Sequence, residues 1–300
     1  PFVCCAWIGA VYGYRWGFFA AGIGMIFGLM VFQILKYWLG HVGEVPEGKK
    51  GIGPIIQVLI GAGILLLPVY YLLSKSDILG VLLLIMMIGL VIYFIYSGFA
   101  SKSKEQLHRY IAMLILFGAN MVFWALFEQA GSSLNFFARD YVDAPFDFTL
   151  FQSANPIFIL ALAPLFSLMW PKLEKMNLNP SIPRKFAFGL LGVGVGFYAL
   201  VLAIQTMQND AGQVPWIMLA LCYLIHTMGE LCLSPIGLSM VTKLARPKET
   251  GLAMGGWFLS IATANYAAGR IAAIAAGGGG GHAEAGSIEG YMAVFNQLFW

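Results

Sequence analysis

Charge is what this 300-residue chain has least of. Only 10% of its residues are Asp, Glu, Lys or Arg, against about a quarter in an ordinary soluble domain. Hydrophobic residues make up 60%, and the mean hydropathy is +0.80. That balance excludes a soluble globular domain. Cysteine is scarce too: Cys4, Cys5, Cys222 and Cys232 all sit in apolar stretches at no metal-site spacing, and read as packing residues. The histidines, His41, His108, His226 and His282, are scattered over loops and different helices. They offer neither a metal cluster nor the nucleophile–base pair a membrane-embedded enzyme would need. No Lys or Arg lies in the middle of an apolar span, which argues against an ion-pumping respiratory subunit. No Met and no charged leader opens the chain; Pro1 and Trp300 both fall inside apolar runs, so both ends are read as truncated helices of a longer chain.

What is present is a series of long apolar runs. A helix needs about 20 such residues to cross a hydrocarbon core of ~30 Å. Eight stretches qualify, roughly 17–35, 52–73, 78–99, 110–138, 148–170, 186–207, 216–242 and 251–276. The fold class is therefore an all-α polytopic membrane protein. Counting Lys and Arg in alternate loops places thirteen of the seventeen on one side, among them Lys36, Lys102, Lys104, Lys243, Arg246 and Lys248. The positive-inside rule makes that side cytoplasmic. The net charge of +3 is thus a topology signal and implies no nucleic-acid partner.

The informative stretch is FWALFEQAGSSLNFFARDY, residues 123–141. It sets Glu128 deep in an apolar span, where a carboxylate costs ~2.5–3.5 kcal/mol on insertion scales. On a continuous helix, Trp124, Glu128, Ser132 and Asn135 share one stripe. That pattern fits a transport path, the alternative being a carboxylate buried for structure. Asp140, 12 residues on, falls ~18 Å along the axis of such a helix. It is either an outer gate or a charge marking the end of the span. In FQSANPIF, Pro156 is expected to free the carbonyl of Gln152 within the outer half of a helix carrying Asn155.

A second carboxylate, Glu230, lies in GELCLSPIGLSMVTKLA, with His226 one turn before it and Pro235 disrupting the ladder behind it. His226 is read as a proton relay or as a satisfied structural histidine. Trp257 and Ser260 share a face of the next span, and Trp257 is equally a packing aromatic. Glu128 and Glu230 lack an obvious basic partner in this chain. Each must be protonated, paired with another part of the protein, or paired with a cationic ligand. The hairpin 52–99 has no polar stripe, so it is expected to be accessory and to face lipid. Gly17, Gly24 and Gly28 suggest a close-packing helix, and the glycines of 186–207 suggest the same.

FWALFEQAGSSLNFF, QSANPIF, GELCLSPIGLSMVTKLA and GYRWGFFAAGIGM resemble the proton-dependent oligopeptide transporters of the major facilitator superfamily. The resemblance implies that residues 1–35 close the N-terminal bundle, 36–109 form a cytoplasmic linker with an inserted hairpin, and 110–300 form the C-terminal bundle. It implies a non-enzymatic symporter importing di- and tripeptides by alternating access. The coupling ion is the proton, no other cofactor is needed, and the transporter works as a monomer in a bacterial inner membrane. By the same resemblance Glu128 couples protons, Glu230 holds the peptide's amino terminus, Asn155, Trp124, Trp257 and Ser260 line the pocket, and Asp140 is the acidic member of an outer gate. Relatives that move nitrate keep another small solute, anionic or amino-acid-like, as the alternative cargo.

Overall fold

The structure is a computed structural model that describes residues 2–40, 51–275 and 287–299. The chain ends at Pro1 and Trp300, most of the polar loop after residue 40 with His41, Lys49 and Lys50, and His282 lie outside the described residues. Seven helical stretches among those described are long and apolar enough to cross a membrane. The eighth expected span forms α10 (Thr250–Ala273), which has the length but is diluted by Gly, Ala, Ser and Thr. The chain divides into two compact units, Val3–Leu84 and Ile85–Trp300.

In the first unit α1 (Phe2–Tyr12) and α2 (Tyr14–Leu35) meet at Gly13, whose φ of 98° is one that L side chains rarely adopt. Gly17 packs on Gly9: a Cβ there would lie 2.8 Å from the Cys5 carbonyl oxygen. Gly24 and Gly28, expected to close-pack as well, face open space. Small residues permit a close approach without requiring one. Helix α3 (Ile52–Ser74) has no buried residue, as expected of a segment without a polar stripe.

The second unit is built on the crossing of α8 (Ile182–Thr206) and α9 (Trp216–Leu244). Gly189 and Gly192 lie against the backbone of Gly229, and a Cβ on Gly229 would come within 2.8 Å of the Gly189 carbonyl oxygen. The glycines of α8 thus do what their frequency suggested. Around this pair pack α5 (Lys104–Phe127), α7 (Ala154–Lys175), α10 and α11 (Ile288–Phe299). A two-residue parallel bridge joins β1 (Val142–Asp143) to β2 (Val214–Pro215).

The hairpin's second helix, α4 (Ser76–Ala100), is packed along one side. Beyond residue 85 this helix belongs to the second unit's core: Phe94 is fully buried against Tyr110, ring centroids 5.1 Å apart, and Leu90 packs on Gly256. Its buried polar residue, Ser97, is one member of a cluster at one end of these helices that charge counting did not reveal. The carboxylate of Glu249 accepts hydrogen bonds from Arg246 at 2.8 and 3.0 Å, from Ser97 Oγ at 2.6 Å, from Tyr93 Oη at 3.1 Å and from Tyr110. It ties α4, α5 and the α9–α10 turn together.

The Arg246 guanidinium, with the hydroxyl donors, holds the Glu249 carboxyl at about 2, below the ordinary 4.5. Because the folded value is the lowered one, this stabilisation is complete above about pH 4.5 and is lost as pH falls through about 2. Thermal unfolding in detergent is therefore expected to show a drop in midpoint across that window that Glu249→Gln lacks. Equal pH dependence in the two proteins would remove the cluster's stabilising role.

Candidate functional site

The helix carrying Glu128 is not continuous. α5 ends at Phe127, Glu128–Gly131 form a 3₁₀ turn, and α6 (Ser133–Tyr141) starts afresh after Ser132, whose φ and ψ of −131° and −98° are not helical. Gly131, Ser132 and Ser133 are weak helix formers in sequence, and serines also compete for backbone hydrogen bonds. The expected stripe Trp124–Glu128–Ser132–Asn135 and the ~18 Å rise to Asp140 both assumed an unbroken helix, and both lapse here. Glu128 instead sits where the helix ends.

Gln129 holds the break. It is fully buried; its Nε2 donates to the carbonyls of Ala125 at 2.9 Å and, in α10, of Ala268 at 3.3 Å. Its Oε1 accepts from Ser133 Oγ at 2.7 Å. The carbonyl of Ala130, inside the 3₁₀ turn, accepts from Gln152 Nε2 at 2.7 Å and Tyr223 Oη at 3.2 Å. An irregular backbone inside a membrane bundle needs such partners, since none comes from lipid. Sequence reading passed over Gln129, although a glutamine beside a buried glutamate was the available signal.

Asn155 and Glu230 meet directly. α7 begins at Ala154, after a 3₁₀ segment Phe148–Ser153. Pro156 therefore lies in the first turn, where a missing N–H costs nothing, and the freed carbonyl expected at Gln152 does not arise. Asn155 Nδ2 donates to Glu230 Oε2 at 2.8 Å and to Thr227 Oγ1 at 3.1 Å. Thr227 in turn donates to the Tyr223 carbonyl, so the amide is fixed from behind. Glu230 is half-buried, and it lies within electrostatic range of Glu128.

Glu128 is half-buried as well, and no hydrogen bond or ion pair reaches its carboxylate among the described residues. Trp124 stacks edge-on to Phe123 and Phe127, and its indole N–H is buried without a partner. The other expected site residues are placed elsewhere. Trp257 is 3% exposed, wedged edge-on between Phe117 and Phe186 and against Gly237. Ser260 is fully buried, accepting from Asn120 Nδ2 at 2.8 Å and donating to the Trp257 carbonyl. Both are turned into helix interfaces in this structure.

His226 points into α8, its Nε2 donating to the Val193 carbonyl at 3.0 Å and its ring filling the space over Gly196. No hydrogen bond joins it to Glu230, so the structural reading of His226 is the one the geometry favours. Asp140 forms a two-pronged pair with its own neighbour Arg139, at 2.7 and 2.9 Å, both side chains exposed. Exposed pairs contribute about 0–1 kcal/mol. Among the described residues the ion pairs leave both Glu128 and Glu230 without a cation.

A bundle of membrane-length helices, with a broken helix and two carboxylates that no cation pairs among the described residues, is that of a polytopic membrane protein of the major facilitator fold. The family profile PTR2, described as "POT family", matches residues 2–280, and the chain belongs to that family. Among curated relatives, "Peptide transporter YePEPT" of Yersinia enterocolitica is 32% identical over 317 residues, covering 96% of this chain and 59% of its own length. "Dipeptide and tripeptide permease A" of Serratia proteamaculans is 31% identical, covering 97% of this chain and 58% of its own length. A solved peptide transporter, a mutant in complex with alafosfalin, superposes with a TM-score of 0.72 at 32% identity, covering 97% of this chain and 59% of that one. The chain thus spans about three-fifths of the length of these relatives.

Proposed function

We propose that this chain serves proton-coupled import of di- and tripeptides across a bacterial inner membrane, by alternating access and as a monomer. The observation that carries the reading is the presence of two half-buried glutamates, both without a cation among the described residues, one of them oriented by an amide. Glu230, held by Asn155, suits the ammonium of a peptide's amino terminus, an ion pair that would supply the missing counter-charge. Glu128, whose carboxylate is free of hydrogen bonds among the described residues at the end of α5, suits a proton that arrives and leaves. The two carboxylates would couple the events through charge, since neutralising one relieves repulsion at the other. The indole N–H of Trp124, buried and unpartnered among the described residues, would become a donor to the peptide on exposure. Similarity to peptide permeases supports the choice of cargo. Asp140 would act as an outer gate only by exchanging Arg139 for another cation.

Uptake of a labelled dipeptide into proteoliposomes tests the reading, and accumulation is expected only with an inward-directed proton gradient. In the same assay Asn155→Ala is expected to weaken dipeptide affinity by about 1–3 kcal/mol, the usual consequence of leaving a buried polar partner unsatisfied. Accumulation without a gradient would discard coupling. An unchanged affinity in Asn155→Ala would reduce that residue to packing.

A further inference from the structure

At the cytoplasmic end of the second unit, Tyr93, Arg246, Pro247, Lys248 and Glu249 line an open cavity of about 570 Å³. A second cavity of about 400 Å³ shares Tyr93 and runs between α4 and α10 along Met86, Gly89, Leu90, Leu252, Gly255 and Leu259. The first carries the basic side chains Arg246 and Lys248 and the Glu249 carboxylate on a largely apolar wall, and the second is apolar. We propose that together they hold one anionic phospholipid of the cytoplasmic leaflet, the headgroup phosphate on Arg246 and Lys248 and one acyl chain in the α4–α10 groove.

The charges fit an anion despite the glutamate. Glu249 is 7% exposed, and its oxygens are already occupied by Arg246, Ser97, Tyr93 and Tyr110. Arg246 uses Nε and Nη2 in that cluster, which leaves Nη1 without a partner among the described residues, on a side chain 38% exposed. Lys248 is exposed and pairs with nothing among the described residues. The net outward charge is therefore positive. Lys102, Lys104 and Lys243, on neighbouring helix ends, add to it.

The groove fits a chain. Residues 86–93 and 252–259 each cover ~10 Å of helix at 1.5 Å per residue, most of the ~15 Å depth of one leaflet. Leu90 forms its floor at 8% exposure, while Met86 and Leu252 stand open at its rims. A Cβ added at Gly89 or Gly255 would meet nothing within 4 Å, so both glycines border empty space. Lipid tails are as apolar as leucine. The groove therefore supplies shape, and selectivity among lipids rests with the headgroup.

Native mass spectrometry of the purified protein, titrated with phosphatidylglycerol or phosphatidylcholine, tests this. One phosphatidylglycerol is expected to be retained in preference to phosphatidylcholine. Lys248→Gln should weaken phosphatidylglycerol about fivefold, the worth of one basic residue near a headgroup, and leave phosphatidylcholine unchanged. Gly89→Leu and Gly255→Leu, whose Cβ atoms would meet nothing within 4 Å, should fill the groove and lower retention of both lipids. Equal retention of the two lipids by the unmodified protein would overturn the proposal, as would variants that all behave like it. Displacement of phosphatidylglycerol by an equal concentration of inorganic phosphate would replace the lipid by a free anion. Lys248 is exposed and outside the core, so its variant remains informative even if a glycine variant unfolds.

Discussion

Glu128→Gln is expected to abolish peptide uptake driven by a pH gradient while sparing counterflow exchange of peptide. Glutamine copies the protonated acid in shape and polarity but has no proton to release. Among the described residues the Glu128 carboxylate has no hydrogen bond or ion pair to lose, so the substitution leaves the 3₁₀ turn, held by Gln129, Gln152 and Tyr223, intact. Glu230→Gln should behave differently. It removes the negative partner of an ammonium group, and truncating one side of a desolvated charge pair costs about 2–5 kcal/mol. Peptide binding should then fall in exchange as well as in driven uptake, and blocking the peptide's amino terminus should reproduce the defect. Proteoliposomes assayed in both modes separate the two. Loss of exchange in Glu128→Gln with exchange retained in Glu230→Gln would reverse the assignments.

Gly229→Val is expected to have the largest effect on stability. Its Cβ would lie 2.8 Å from the carbonyl oxygen of Gly189 and 3.5 Å from its Cα, backbone atoms that cannot rotate away. Overpacking of this kind costs about 1–3 kcal/mol, and here it would pry apart the α8–α9 crossing on which the second unit is built. Because Thr227 and Glu230 flank the crossing, peptide affinity should fall along with the unfolding temperature. Gly118→Ala in α5, where a Cβ meets nothing within 4 Å, is the control and should leave both unchanged. A melting temperature for Gly229→Val equal to that of the unmodified protein would show that the two helices can separate without loss.

The number and limits of the membrane helices were legible because burial in hydrocarbon demands long apolar runs, and composition records that demand residue by residue. Runs at 52–73 and 78–99 became α3 and α4 within a few residues, and 216–242 became α9. The two glutamates were legible for the same reason, since an ionisable residue in such a run stands out against its surroundings. Which side chains meet was not legible. Helical periodicity put Trp257 and Ser260 on one face without saying what covers it, and three neighbouring helices close over that face. The break at Glu128 depends on the Gln129, Gln152 and Tyr223 side chains satisfying a turn that local propensity only permits. The Asn155–Glu230 bond and the Glu249 cluster join residues 75 and up to 156 positions apart in the chain. Local chemistry determined where the chain crosses the membrane and which carboxylates it carries inside. Tertiary packing decided which of them stay unpaired, because a polar group's partner is set by whatever the neighbouring helices bring within about 3 Å.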